Sequence, residues 1–388
     1  MKIVIAPDSF KESLTAMQVA DAIELGFREI YPHADYIKLP MADGGEGTVE
    51  SMVAATGGEI IQVAVRGPLN QLVNAFYGRL GDGVTAVIEM AAASGLHLVP
   101  QEQRNPLYTT SYGTGQLILS ALENGARKII LGIGGSATND GGAGMMQALG
   151  VKFFDAQGME LASGGAALSR LHHIDLSALD SRLAQSEIIV ACDVDNPLCG
   201  IKGASAVFGP QKGATPEMVS ILDSALHHYG EQIGMLTGRA VIDVAGAGAA
   251  GGMGAALFGL LHAQLKPGIE IVINALGLAE AIVGADLVIT GEGRIDSQTI
   301  HGKTPIGVAR TAKRLGIPTI ALAGGMTKDY QVVHQYGLDA VFSVVNRIVT
   351  LPEALTEAQE NLRITARNVA AVWQLASASN AANLVRQN

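Results

Sequence analysis

At 388 residues and 40.1 kDa the chain exceeds one ordinary domain, and roughly two are expected. A formal charge of −10, from 26 Lys and Arg against 36 Asp and Glu, opposes binding to a phosphate backbone or an anionic membrane. With 48% hydrophobic residues, 16% charged residues and a mean hydropathy of +0.29 the chain is far from disorder, and Cys192 and Cys199 are too few for a disulfide framework or a structural zinc.

The run 3–6 reads as a strand, 7–13 as a polar loop, and Val19, Ile23, Phe27 and Ile30 keep helical spacing behind a capping box of Thr15 and Gln18. A second strand at 36–39 leads through Asp43-Gly44-Gly45-Glu46-Gly47 into a helix with Val49, Met52 and Val53 on one face. From 59 to 90, short β-rich runs split by Gly67-Pro68-Leu69-Asn70 and Gly81-Asp82-Gly83 predict an antiparallel meander. A helix near 115–123, strands at 128–133 and 188–191 and a helix at 216–236 follow. The uncharged stretch 244–261 has the length of a membrane span, but its repeated glycines argue against one. After about residue 285 strands and helices alternate again: strand 286–290, helix 304–315, strands 318–323 and 340–343, and a long helix from Pro352.

Because the first and last segments share this alternation, the expected fold is α/β: a Rossmann-like parallel-sheet domain from both termini, 1–64 with 285–388, and an inserted mixed α/β domain, 65–284. The two chain crossings then form a hinge beside an interdomain cleft. The low cysteine count and the lack of a signal-peptide pattern fit a cytoplasmic protein.

Gly134-Gly135-Ser136-Ala137-Thr138-Asn139-Asp140-Gly141-Gly142-Ala143-Gly144 follows a strand and enters an apolar run, the position of an anion-binding loop. The alternative is a glycine turn capped by Asn139 and Asp140. Thr290-Gly291-Glu292-Gly293-Arg294-Ile295-Asp296-Ser297 is expected as a loop at the carboxyl end of a parallel strand, where open sheets bind ligands, and Glu292 with Asp296 suits a hydrated Mg²⁺. Gly302-Lys303-Thr304 resembles the end of a Walker A loop whose first glycine is missing, leaving Lys303 as a point charge for phosphate. Gly246-x-Gly248-x-x-Gly251 matches a dinucleotide fingerprint after a strand-like run at 240–245. Its acidic residue about 20 positions on, Glu270, precedes an apolar run instead of ending it, which favours a packing loop. Asp8 and Lys11 after the first strand, with Asp43 and Glu46 after the second, gather charges for a small ionic ligand. Asp193 emerges at the end of strand 188–191, and Cys192 is read as packing.

Taken in order, Ala6-Pro7-Asp8-Ser9-Phe10-Lys11-Glu12-Ser13, Ala42-Asp43-Gly44-Gly45-Glu46-Gly47, the 134–142 run, Cys192-Asp193-Val194-Asp195-Asn196-Pro197-Leu198 and the 290–296 run resemble the bacterial glycerate kinase family of the type I class. The resemblance implies ATP-dependent phosphorylation of D-glycerate with a divalent metal, Mg²⁺, mostly to 2-phosphoglycerate, in sugar-acid and glyoxylate breakdown. It also implies two domains with the active site in the cleft.

Such chemistry asks mainly for positioning and charge neutralisation. Asp193 is the expected base, with Lys11 and Asp8 in the catalytic set and Arg66, Asp43 and Arg294 around glycerate. Gly134, Gly135, Ser136, Thr138, Asn139, Asp140 and Lys303 would hold nucleotide phosphates, and Glu292 with Asp296 the metal. The alternative makes Asp8 or Asp43 the base and Asp193 a metal ligand. The rival functions are a glycerate 3-kinase, a nicotinamide-dependent hydroxy-acid dehydrogenase resting on the Gly246 motif, and a sugar-acid sensor without turnover. Expected partners are glycerate and a second copy of the chain, with no nucleic acid and no membrane.

Overall fold

The computed structural model describes residues 1–387, with side chains to 377. In chain order its strands are β1 (Lys2–Ile5), β2 (Asp35–Lys38), β3 (Glu59–Arg66), β4 (Leu72–Arg79), β5 (Thr85–Glu89), β6 (Lys128–Gly132), β7 (Lys152–Phe154), β8 (His173–Asp175), β9 (Glu187–Ala191), β10 (Gln264–Lys266), β11 (Leu287–Ile295), β12 (Thr319–Met326) and β13 (Ala340–Ser343). The chain divides into two compact units, one from residues 1–43 with 272 onward and one from the continuous segment 44–271.

In the first unit five parallel strands lie in the order β13-β12-β11-β1-β2. Numbered within the unit this is 2-1-3-4-5, the flavodoxin-like doubly wound order, whose switch point falls between β1 and β11. Strand β1 forms because Ile3, Val4 and Ile5 are an unbroken apolar run buried on both faces. Helix Ala16–Arg28 starts at the expected capping box: Gln18 N–H donates to Thr15 Oγ1 at 3.2 Å, and Thr15 N–H donates to Gln18 Oε1 at 2.9 Å. Its Val19, Ile23 and Phe27 join Ile3, Ile5, Leu287, Leu322 and Leu362 in one core. Gly26 lets the helix approach Ala358–Gln387 so closely that an added Cβ would sit 2.3 Å from Arg363 O.

The 290–297 segment differs from the expected loop. Strand β11 continues to Ile295 and stays paired with β12 as far as Ile295 opposite Met326. Glycine here serves close backbone approach, since a Cβ on Gly291 would meet Leu322 O at 2.2 Å.

The second unit holds a six-stranded mixed sheet, β10-β9-β6-β5-β4-β3, and the small antiparallel pair β7-β8. The expected meander is there as β3, β4 and β5, after which β5, β6, β9 and β10 run parallel. Residues 44–64 belong to this unit and not with the N-terminal strands. The register of β3 on β4 runs from Glu59 opposite Arg79 to Arg66 opposite Leu72, and helix Thr48–Thr56 packs on β4 and β5. The second crossing lies near 271 and not at 285, because helix Leu278–Ile282 packs on Thr304–Arg314 of the first unit. The run 240–245 is a series of turns, not a strand, and Val241 fills the core from it. Among the described residues no helix is long and apolar enough to cross a membrane.

Candidate functional site

A cavity of about 690 Å³ opens in the first unit at the carboxyl ends of its strands, where the switch-point rule places a ligand. Six residues singled out in the sequence line it: Asp8, Lys11, Asp43, Glu292, Arg294 and Lys303. Asp8 follows β1, where the chain leaves the sheet in a tight turn closed by the Phe10 and Leu14 backbones. One Asp8 oxygen accepts the Ser9 N–H at 2.6 Å and the other accepts the Thr304 hydroxyl at 2.7 Å. Burial, and then the Asp43 carboxylate, push the Asp8 carboxyl up to about 6.

Glu292 is 8% exposed on β11 and is carried up to about 7, first by burial and also by the Asp8 charge, against the pull of Thr299 and Lys303. Its Oε1 accepts the Thr299 hydroxyl at 2.7 Å, and Lys303 Nζ stands 3.5 Å from Oε2. Lys303 occupies the N-cap of helix Thr304–Arg314 without capping it, so its side chain is directed by Glu292. Two carboxyls raised by burial and by neighbouring negative charge mark a place where a cation would be stabilised.

Asp296, paired with Glu292 as a metal ligand in the sequence reading, is engaged locally. Its Oδ1 accepts the Gln298 N–H at 2.9 Å as a helix cap, and its Oδ2 stands 3.2 Å from Arg294 Nε. Among the described residues no cluster of three or more His, Cys, Asp or Glu forms a ready-made metal site. Glu292, in the neighbourhood of Asp8 and Asp43, fits a cation that takes most of its ligands from phosphate and water, the habit of Mg²⁺.

The other expected residues lie in the second unit. Asp193 follows β9, and its Oδ1 accepts the Gly268 N–H at 2.9 Å. Arg66 ends β3 with its guanidinium 4.1 Å from the centre of the Tyr112 ring. The 134–140 loop follows β6 as expected, with Gly134 and Gly135 exposed at its tip and Ser136 to Asp140 buried. Asp140 is spent on the loop itself. It accepts the Ser111 N–H and hydroxyl, each at 2.8 Å, the Gly142 N–H at 3.1 Å and the Gly144 N–H at 3.2 Å. Behind the loop sits Lys212, a residue sequence reasoning missed. Its buried ammonium donates to Ser136 Oγ at 2.8 Å and Thr138 O at 2.6 Å, and burial lowers it to about 7. Only its place in the glycine-bounded stretch Gly209-Pro210-Gln211-Lys212-Gly213 hinted at a constrained lysine.

The dinucleotide-like glycines are explained by packing. Gly251, at φ +66, brings its backbone against the 134–140 loop, where a Cβ would lie 2.0 Å from Thr138 O, and a Cβ on Gly248 would lie 2.2 Å from Pro197 O. Cys192 packs in the same way, with its Sγ 2.9 Å from a Cβ built on Gly246.

The model of the Glycerate kinase family matches residues 3–374. The glycerate 2-kinase of Escherichia coli (strain K12) is 62% identical over 371 residues, covering 96% of this chain and 97% of that one. The glycerate kinase of Haemophilus influenzae is 60% identical over 372 residues, covering 96% and 98%. A crystal structure assigned to a glycerate kinase 2 of Salmonella typhimurium LT2 matches with a TM-score of 0.91 and 62% identity, covering 97% of this chain and 99% of that chain.

Proposed function

This chain belongs to the glycerate kinase family, and we propose that it transfers the terminal phosphoryl group of ATP to the 2-hydroxyl of D-glycerate, as a step in the breakdown of sugar acids and glyoxylate. What carries the choice of the 2-position is the 62% identity to the Escherichia coli protein named glycerate 2-kinase. The dehydrogenase reading loses its motif to backbone packing at Gly248 and Gly251.

Phosphoryl transfer needs little covalent work from the protein, so the first unit's cavity is read as a device for charge and position. Lys11 and Lys303 neutralise phosphate oxygens, and Arg294 faces the glycerate carboxylate. Asp8 takes the hydroxyl proton: its carboxyl, raised to about 6, is ionised at neutral pH yet basic enough to share a proton in the transition state. Asp43 raises that basicity by its charge. Mg²⁺, when bound at Glu292 together with phosphate oxygens and water, supplies neutralisation of the charge on the transferring group. Arg66 and the 134–140 loop carry no step in this reading.

The test is ADP release with D-glycerate, L-glycerate, glycolate and tartronate in the presence of ATP and Mg²⁺, followed by phosphorus-coupled NMR of the product. D-Glycerate-dependent release with phosphate on carbon 2 is expected. Phosphate on carbon 3 would replace the reading by its nearest rival, and silence across the panel would overturn the kinase assignment.

A further inference from the structure

The lining of the first unit's cavity changes character along the sheet. The loops after β2 and β1, together with β11 and the helix start beside it, bring Asp43, Asp8, Lys11, Glu292 and Lys303. The strand ends on the other side, β12 and β13, the helix Leu351–Thr356 and the start of the long helix bring Met326, Val344, Val345, Leu351, Leu355 and Ala358, with Gly324, Gly325 and Thr327 beside them. The charged face therefore lies over one half of the strand order and the apolar face over the other. The step from β1 to β13 crosses three strand spacings, about 14 Å, which matches an extended nucleoside triphosphate from terminal phosphate to base.

The apolar half is also open. Leu351 is 69% exposed, and Met326 and Val345 are exposed beside it, a patch that a flat aromatic ligand would cover. The Ser13 hydroxyl donates to Leu355 O at 2.7 Å, which ties the apolar helix to the charged turn after β1 and fixes the spacing of the two halves. A cavity of about 690 Å³ is far larger than glycerate requires and falls in the range of nucleotide-sized ligands.

We infer that the base of the phosphoryl donor lies against Met326, Val345, Leu351 and Leu355, with its phosphates directed to Lys11 and Lys303, and that this wall admits purine bases with little discrimination. The inference rests on the kinase reading of the same cavity and adds to it where the donor sits and how its base is read. On this side Thr327 also lines the cavity, but its hydroxyl donates to Asp329, and the six apolar residues carry no side-chain N–H or O–H to read the edge that separates adenine from guanine. Recognition by apolar cover alone gives weak selection between bases. The phosphates then fall to Lys11 and Lys303, in keeping with a 134–144 run in which the Gly142 and Gly144 N–H groups already go to Asp140.

The test compares the full-length protein with Leu355→Asp and Ala354→Trp, each confirmed folded by thermal melting. Calorimetry with a non-hydrolysable ATP analogue and Mg²⁺, without glycerate, reads nucleotide binding alone, and steady-state kinetics read KM for each substrate. At least one folded variant should weaken nucleotide binding and raise KM for ATP roughly tenfold or more while KM for glycerate stays within about twofold, the scale of a damaged apolar pocket. In the unsubstituted protein, kcat/KM for GTP should fall within about a hundredfold of that for ATP. Unchanged nucleotide binding in both variants, a KM for glycerate that rises as much as that for ATP, or a preference for ATP beyond about a thousandfold would overturn the inference. Nucleotide binding that is lost in the variants of a protein that phosphorylates no acid in the panel would sustain it while removing the glycerate reading.

Discussion

Asp8 and Glu292 begin from ordinary carboxyl values of 3.8 and 4.5 and are raised to about 6 and about 7 because they are buried and close to other negative charge. Raised carboxyls favour the folded state while protonated. Their contribution is complete below the unfolded values and is lost as pH climbs through the folded ones. Compared with Glu292→Gln, the unsubstituted ligand-free protein should therefore lose melting temperature as pH climbs from about 4 to about 8, a difference between the two profiles that differential scanning calorimetry would read. The groups facing these carboxyls are Asp43, Thr304, Ser9 and Lys11 at Asp8, and Thr299, Lys303 and Asp8 at Glu292. Parallel profiles in the unsubstituted protein and Glu292→Gln would refute this electrostatic account. Catalysis gives a second check at this scale. Asp8→Asn should cut kcat roughly a hundredfold and remove the fall in kcat near pH 6, whereas Asp193→Asn should keep that limb. Were the limb to vanish in Asp193→Asn instead, the base would be Asp193, the residue first suggested by the sequence.

Helix Ala16–Arg28 and the long helix after Ala358 meet without room for a methyl group at Gly26. Gly26→Ala should thus lower stability by about 1–3 kcal/mol although alanine is the better helix former, a balance that urea denaturation would resolve. A gain in stability would show that the helices can shift apart at little cost. The same contact shows what was legible beforehand. The capping box at Thr15, the meander over β3 to β5 and the parallel strands at both ends follow from local periodicity, turn residues and apolar runs, and all were readable. The course of β11 past Thr290 was not, because glycine in a strand and glycine in a loop look alike until the neighbouring strand β12 is known. The boundary near residue 43 was hidden for a similar reason, since β3 owes its place to pairing with β4 and not to anything in its own residues. At the site, the charges after β1 and β2 were legible as a cluster, but the Asp296 cap was hidden by reading 290–297 as a loop, and the buried lysine at 212 depends on partners distant in sequence.

The second unit is one continuous segment with its own core, running from Val65 and Tyr77 through Ile129 and Met145 to Leu226 and Leu257. Residues 44–271 expressed alone should fold with a single cooperative thermal transition by circular dichroism. A broad, non-cooperative melt would refute that autonomy. The first unit has no such freedom, because its strand β1 takes its neighbour β11 from the far side of the insertion. This has a consequence for biosynthesis. A ribosome adding about 5–20 residues per second needs on the order of a quarter of a minute to a minute to travel from β1 to Leu287, so an apolar strand of the sheet emerges first and gains its neighbour β11 late. In that interval the inserted segment can complete its own sheet, and the opening strand and helix are the stretch that a nascent-chain chaperone would have most reason to shield.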